Sequence, residues 1–234
     1  MNTAWNGKNK AITFSYDDGV TQDIRLIELL NKYGLKCTFN INSELLAQKG
    51  ILIREELRIS HYKIHPEDIS YVYDGHEVAA HTLTHPFLPN CDDNEIIRQV
   101  EQDRLNLSEL AGYEVIGMAY PCGGANNNDR VAEIIRQNTG IKYARTIADN
   151  GSFELQDNLL RFDPTVYHLD FDKMMALGEE FVSLKTDTPK IFYVWGHSYE
   201  MDFGADYWVK LETFFDMISG KNDIFYGTNK EVLL

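Results

Sequence analysis

The sequence predicts one α/β domain built on parallel strands joined by crossover helices. Two observations carry that expectation. Short apolar runs of strand character alternate with helical stretches along almost the whole chain. The residues best suited to chemistry stand where those runs end, the rim on which parallel barrels build their sites. Alternation alone leaves the sheet either open or closed into a barrel. At 234 residues, 44% hydrophobic and 25% charged, the chain is long enough for a sizeable core. No repeat, low-complexity tract or linker divides it, so residues 1–234 are expected to form a single domain.

The elements follow in order. Ala11-Ile-Thr-Phe-Ser-Tyr is a strand running into Asp17-Asp18-Gly19. Ile24, Ile27 and Leu30 then repeat at helical spacing, with Gly34 as the stop. Strands are expected at Lys36 to Ile41 and, after the turn Asp74-Gly75, at Glu77 to His81. Asp92-Asp93 opens a long helix closed near Gly112, and Val115 to Tyr120 is a strand. A helix from Asn128 to Gln137, stopped by Gly140, precedes a strand from Ile141 to Ile147. A helix at Phe171 to Leu184, a strand at Lys190 to Trp195, a helix at Ala205 to Ile218, a strand at Asp223 to Tyr226 and a short helical tail complete the reading. That makes seven strands. Ile51 to Tyr73 is the least regular stretch and reads as an insertion at the rim or side.

Composition narrows the function. A net charge of −14 disfavours nucleic acid and anionic membranes as partners and suits a neutral substrate or one yielding a cationic product. No apolar stretch approaches a membrane span. The N-terminus shows no basic segment followed by an apolar one, so a cytoplasmic location is expected. Three cysteines, Cys37, Cys91 and Cys122, lack both the even count of a disulfide framework and the spacing of a zinc knuckle.

Two constellations carry the chemistry. Asp17-Asp18 reads either as a helix cap or as an ionised pair beside a cation, which would relieve the repulsion between them. His81-Thr-Leu-Thr-His85 adds two imidazoles four residues apart, carried out of the core by Val78-Ala-Ala80 and closed by Pro86. Two neutral imidazoles and one carboxylate leave open positions on a divalent ion, with one carboxylate to spare for proton transfer. Zinc is the best match, while cobalt, nickel and manganese fit the same donors. His61 and His65 share the four-residue spacing but lie in a polar stretch and read as surface. His197, at the end of Tyr193-Val-Trp-Gly, reads as a site residue. Tyr120-Pro-Cys-Gly-Gly124 suits a tight turn presenting backbone N–H groups to a reacting carbonyl.

Ser15-Tyr-Asp17-Asp18-Gly19, His81-Thr-Leu-Thr-His85-Pro86 and Trp195-Gly-His197 together resemble the polysaccharide deacetylases of the NodB-homology class, over almost the whole chain. The resemblance implies an irregular (β/α) barrel and a metal-dependent hydrolase that removes acetyl groups from N-acetylated, or O-acetylated, sugars or glycans. It implies Asp17 as catalytic base, Asp18, His81 and His85 as metal ligands, and His197 as general acid. Tyr120 and Cys122 resemble the loop whose backbone N–H holds the oxyanion, with Cys122 where an aromatic residue is usual. Two departures stand out. Ala119 occupies the place of the arginine that pairs with the catalytic aspartate. Arg145 is the candidate replacement, or else the partner in a structural ion pair. The aspartate-tryptophan element that tunes the acid histidine is not recognisable, and Asp149, Asp163 and Glu200 are the alternatives. His168 reads as a surface loop histidine. Tyr167, Trp195 and Tyr199 are either sugar-stacking rings or rim packing. Hydrolysis of a non-sugar amide and sugar binding without catalysis are the competing readings.

Overall fold

The computed structural model describes residues 4–234. Parallel strands form a curled sheet in the order β7-β6-β5-β2-β1-β9-β8, comprising β1 (Lys10–Asp17), β2 (Cys37–Ile41), β5 (Glu77–Ala80), β6 (Gly117–Ala119), β7 (Tyr143–Arg145), β8 (Val166–Tyr167) and β9 (Lys190–Gly196). β10 (Ile224–Tyr226) pairs with the first half of β1, whose second half pairs with β2. An antiparallel hairpin, β3 (Lys49–Arg54) and β4 (Leu57–Tyr62), stands apart. The helices are α1 (Gln22–Lys32), α2 (Ile69–Val72), α3 (Asp93–Ile97), α4 (Asp103–Ala111), α5 (Asp129–Asn138), α6 (Phe171–Ser183), α7 (Tyr207–Ile218) and α8 (Asn229–Leu233).

All seven expected strands are therefore present in the α/β curl, and β8 is an eighth that was not expected. β8 is two residues long, too short to leave a periodic signal. It belongs to an extended segment that links the two ends of the sheet. The Phe162 N–H bonds Ala144 O and the Thr146 N–H bonds Phe162 O on the β7 side, while Thr165 N–H bonds Tyr193 O on the β9 side. The irregular stretch proves to be the hairpin followed by α2. The long helix after Asp92 is interrupted, because Arg98–Gln102 widens into a π turn between α3 and α4.

Alternation along β1 divides the interior in two. Ile12, Phe14 and Tyr16 join Leu26, Ile27 and Leu30 of α1 and Phe214 and Phe215 of α7 in the main apolar core. Thr13, Ser15 and Asp17 belong to a polar interior. There Thr13 Oγ1 donates to Asn229 Oδ1 at 2.8 Å, and the hydroxyls of Thr38 and Tyr143 both donate to Glu77, each at 2.8 Å. Parallel barrels ordinarily fill this space with bulky aliphatics. Here hydrogen-bonded side chains fill it, and the polar column rises to Asp17.

Candidate active site and metal centre

Because the strands are parallel, their C-terminal ends share one rim. Asp17 ends β1, His81 follows β5, Tyr120 follows β6, Arg145 ends β7 and His197 follows β9. Their side chains, with those of Asp18, His85, Cys122, Ile147, Trp195 and Tyr199, converge on a cavity of about 210 Å³, Arg145 lying just beneath its floor.

Asp18, His81 and His85 each offer one ligand atom within 4.8 Å of the others. The donors suit a cation in charge and in tautomer. His81 donates through Nδ1 to Ala119 O at 2.9 Å, which leaves the Nε2 lone pair free, as in most histidine metal sites. Burial holds the His81 pKa down to about 4, so the ring is neutral at physiological pH. Burial would raise the Asp18 carboxyl, but the His61 hydrogen bond and the Lys63 charge hold it well below the usual carboxylate range.

Backbone strain marks the same place. Among the described residues, seven other than glycine have positive φ, and four of them are Asp18 (84°), Thr82 (69°), His85 (62°) and Cys122 (70°). Such conformations cost about 1–3 kcal/mol each and persist only where the surroundings enforce them. Gly19 completes the first turn at φ 61°, and a Cβ there would lie 2.9 Å from Ile41 Cγ2. The π turn serves the second loop. It places Gln99 to accept from the Thr84 N–H and Asp103 to accept from the His81 N–H, at 3.0 and 2.9 Å.

Asp17 lies at the centre. Arg145 Nη2 is 2.5 Å from both of its carboxylate oxygens, and Asn40 Nδ2 donates to Oδ1 at 2.8 Å. Its Oδ2 stands 4.0 Å from both His81 Nε2 and His197 Nε2. Burial opposes ionisation of Asp17, but the charge and hydrogen bonds of Arg145 and the charge of His197 outweigh it and keep the pKa low. Arg145 pairs with Asp17 from a different strand, a geometry common to both readings of that residue. Ala119 sits beside it in register, so a guanidinium on β7 reaches the carboxylate that a residue on β6 would otherwise approach.

His197 donates through Nδ1 to Glu200 Oε2 at 3.0 Å. Burial alone would depress its pKa, but Glu200, Asp17 and Asp18 together push it up to about 9. Of Asp149, Asp163 and Glu200, Glu200 is the one that bonds His197. Asp149 instead accepts from Trp195 Nε1 at 2.7 Å and from the Tyr167 N–H at 2.9 Å, and Asp163 accepts from the Thr146 hydroxyl.

Two expectations require correction. His168 is fully buried, its Nε2 2.7 Å from Glu200 Oε2 and its Nδ1 3.2 Å from the Tyr16 hydroxyl. No local pattern marked this, because its burial follows from the extended segment closing the sheet. His61 is also not a surface residue. Its side chain is 19% exposed and its Nε2 lies 3.3 Å from Asp18 Oδ2, because the hairpin folds back over the rim. The same hairpin exit brings Lys63 Nζ to Asp18 O and Oδ1, at 2.6 and 3.2 Å. Neither contact had a local signal in the sequence. His65, by contrast, is exposed. In the loop after β6, the Tyr120 phenol is buried and donates to Leu160 O, and the Tyr120 N–H donates to Arg145 O at 3.0 Å. Cys122 presents its amide to His85 Nε2 at 3.4 Å. The aromatic residues pack on one another: Tyr167 against Trp195 at 4.8 Å, and Tyr199 between His61 and His197 at 4.9 and 5.1 Å.

The family described as polysaccharide deacetylase matches residues 5–144, a span that includes the loops carrying Asp17-Asp18 and His81 to His85 and stops just before Arg145. Peptidoglycan-N-acetylglucosamine deacetylase PgdA of Listeria monocytogenes is 23% identical over 195 residues, covering 75% of this chain and 38% of the relative. The chain thus spans well under half the length of that relative. In fold, the chain is similar to a Mycobacterium smegmatis protein named for the same family (TM-score 0.70, 16% identity, 99% of this chain and 91% of the other). It is also similar to a CE4 family pseudoenzyme from Bacillus anthracis (TM-score 0.57, 17% identity, 97% and 66%). With the family match extending over more than half its length, the chain belongs to the polysaccharide deacetylase family.

Proposed function

We propose that this chain is a metal-dependent deacetylase that hydrolyses the acetyl amide of an N-acetylated sugar or glycan. The observation that carries the reading is the placement of Asp17, whose Oδ2 lies 4.0 Å from both the free nitrogen of His81 and Nε2 of His197. A base there adjoins the metal ligands on one side and a proton donor on the other.

A divalent ion held by Asp18, His81 and His85, with zinc the best match to that donor set, would polarise the acetyl carbonyl and bring the pKa of water from 15.7 to about 7. Asp17 accepts the proton of the attacking water, and Arg145 and Asn40 keep it ionised and aimed. The Cys122 amide faces the carbonyl oxygen as charge develops on it. His197, cationic below about pH 9, donates its Nε2 proton to the departing nitrogen as the C–N bond breaks. Acetic acid, which ionises to acetate, and a free amine result, and both catalytic groups are reset once the proton on Asp17 has returned, directly or through solvent, to His197. Trp195 and Tyr199 line the cavity wall that a sugar would meet. The relative from Listeria is named for N-acetylglucosamine in peptidoglycan, which supports an N-acetylated sugar as the substrate class.

The test is acetate release from N-acetylglucosamine oligomers, O-acetylated sugars and simple amides, with and without chelator. Chelator-sensitive acetate from the N-acetylated sugars is expected. Ammonia from amides in place of acetate would move the assignment to another carbon–nitrogen hydrolase. Sugar binding without turnover would place the chain with the pseudoenzymes.

A further inference from the structure

We propose that His168 is a positioning residue for His197, holding Glu200 from the side opposite the cavity so that the acid histidine presents Nε2 to Asp17. The inference rests on the proposed role of His197. It goes beyond that role by assigning one to a histidine that touches neither the cavity nor the metal ligands.

Three observations carry it. First, Glu200 Oε2 collects the His197 N–H at 3.1 Å, His197 Nδ1 at 3.0 Å and His168 Nε2 at 2.7 Å, while Oε1 takes the Tyr167 hydroxyl. Every donor to this carboxylate comes from the acid histidine itself or from the pair Tyr167-His168. Second, the His168 tautomer is determined at both ends. An ionised Glu200 can only accept, so His168 Nε2 carries the proton, and Nδ1 accepts from Tyr16 at 3.2 Å. A phenylalanine at position 16 would fill the same core space and leave Nδ1 unpaired. Third, the backbone makes room for the ring. A Cβ at Gly196, between Trp195 and His197, would lie 2.2 Å from His168 Cδ2. Without His168, Glu200 keeps the Tyr167 hydroxyl and the His197 N–H but loses its 2.7 Å contact, the one that holds Oε2 from the side away from the cavity. The ring of His197 is then free to turn its Nε2 away from Asp17.

The experiment compares His168→Leu and His168→Gln. Gln retains an N–H donor for Glu200, whereas Leu matches the imidazole in size and removes it. In the metal-loaded chain with an N-acetylglucosamine oligomer, His168→Leu is expected to lower kcat about 10- to 100-fold, the scale of a misplaced reacting group. KM and bound metal should stay unchanged, and His168→Gln should recover most of the loss. In the metal-free chain, the His197 Nδ1 proton should appear in NMR spectra as a low-field, slowly exchanging signal in wild type and His168→Gln and vanish in His168→Leu. Retention of that proton in His168→Leu, or equal losses in both variants, would overturn the proposal. If wild type releases no acetate from any substrate, the deacetylase reading fails while the NMR comparison still decides the role of His168.

Discussion

Arg145→Met separates the two roles open to Arg145. The substitution keeps the side chain's reach and removes its charge. Arg145 is completely enclosed, and besides both Asp17 oxygens it serves Ser15 Oγ at 3.1 Å and Thr146 O at 2.9 Å and stacks over Trp195 at 4.6 Å. After the substitution Asp17 retains Asn40 Nδ2 as its hydrogen-bond donor within 3.5 Å and remains buried. Stranding one partner of a buried ion pair costs about 3–5 kcal/mol. For a chain of this size each kcal/mol moves Tm by roughly 2–4 °C, so calorimetry should show a fall of roughly 6–20 °C. A neighbouring arginine ordinarily lowers an aspartate pKa by about 1–3 units. The acid limb of the kcat/KM profile, which reports Asp17, should therefore move up by about that amount while bound metal is retained. Adding Asp17→Asn should make the stability loss less than additive, because the double variant no longer buries a lone charge. A Tm within about 2 °C of wild type, equivalent to less than roughly 1 kcal/mol, together with an unmoved acid limb, would refute this account of the pair. A large Tm drop with an unmoved limb would leave Arg145 a structural residue only.

Asp17→Asn should bind metal normally and lose turnover, whereas His81→Ala should lose the metal as well, which elemental analysis separates. In the metal-free chain, the elevated pKa of His197 means its charged form is favoured by folding. Relative to His197→Gln, wild type should be more stable by about 3 kcal/mol below pH 6.5, a gain lost as pH rises through about 9. A pH-independent difference in urea denaturation would contradict the Glu200 pairing. The depressed pKa of His81 has the opposite sign: its contribution is intact above pH 6.5 and falls away toward pH 4, so acid unfolding should begin earlier in wild type than in His81→Gln. Gly196→Ala should displace the His168 ring, costing about 1–3 kcal/mol by overpacking and lowering kcat more than KM.

Local patterns were enough to find the strands that are long and apolar. β1 and β9 are fully buried over nearly their whole length, so each reads as a continuous run. The helices that cover them repeat at 3.6 residues because one face is in the core. β6 and β7 are three residues each and were legible only as parts of longer apolar runs, while β8, at two residues, has too few positions to make a period. The hairpin from Lys49 to Tyr62 was missed for a different reason. It is largely exposed on both faces and carries no alternation.

By itself the sequence determined which side chains reach the rim. Asp17, His81, Arg145 and His197 each stand at or just beyond the end of a strand, and parallel strands deliver all such residues to one end of the sheet. Glycine at 19 and the pairing of aspartates and histidines marked the chemistry in the same way. Only the tertiary structure decided who meets whom there. Arg145 reaches Asp17 across 128 positions of chain, and Glu200 faces two histidines, one of them buried by the segment that closes the sheet. Lys63 and His61 arrive on Asp18 from a hairpin with no periodic signal. Charge and hydrogen-bond partners depend on strand order, register and the path of long loops, and no stretch of local sequence encodes these.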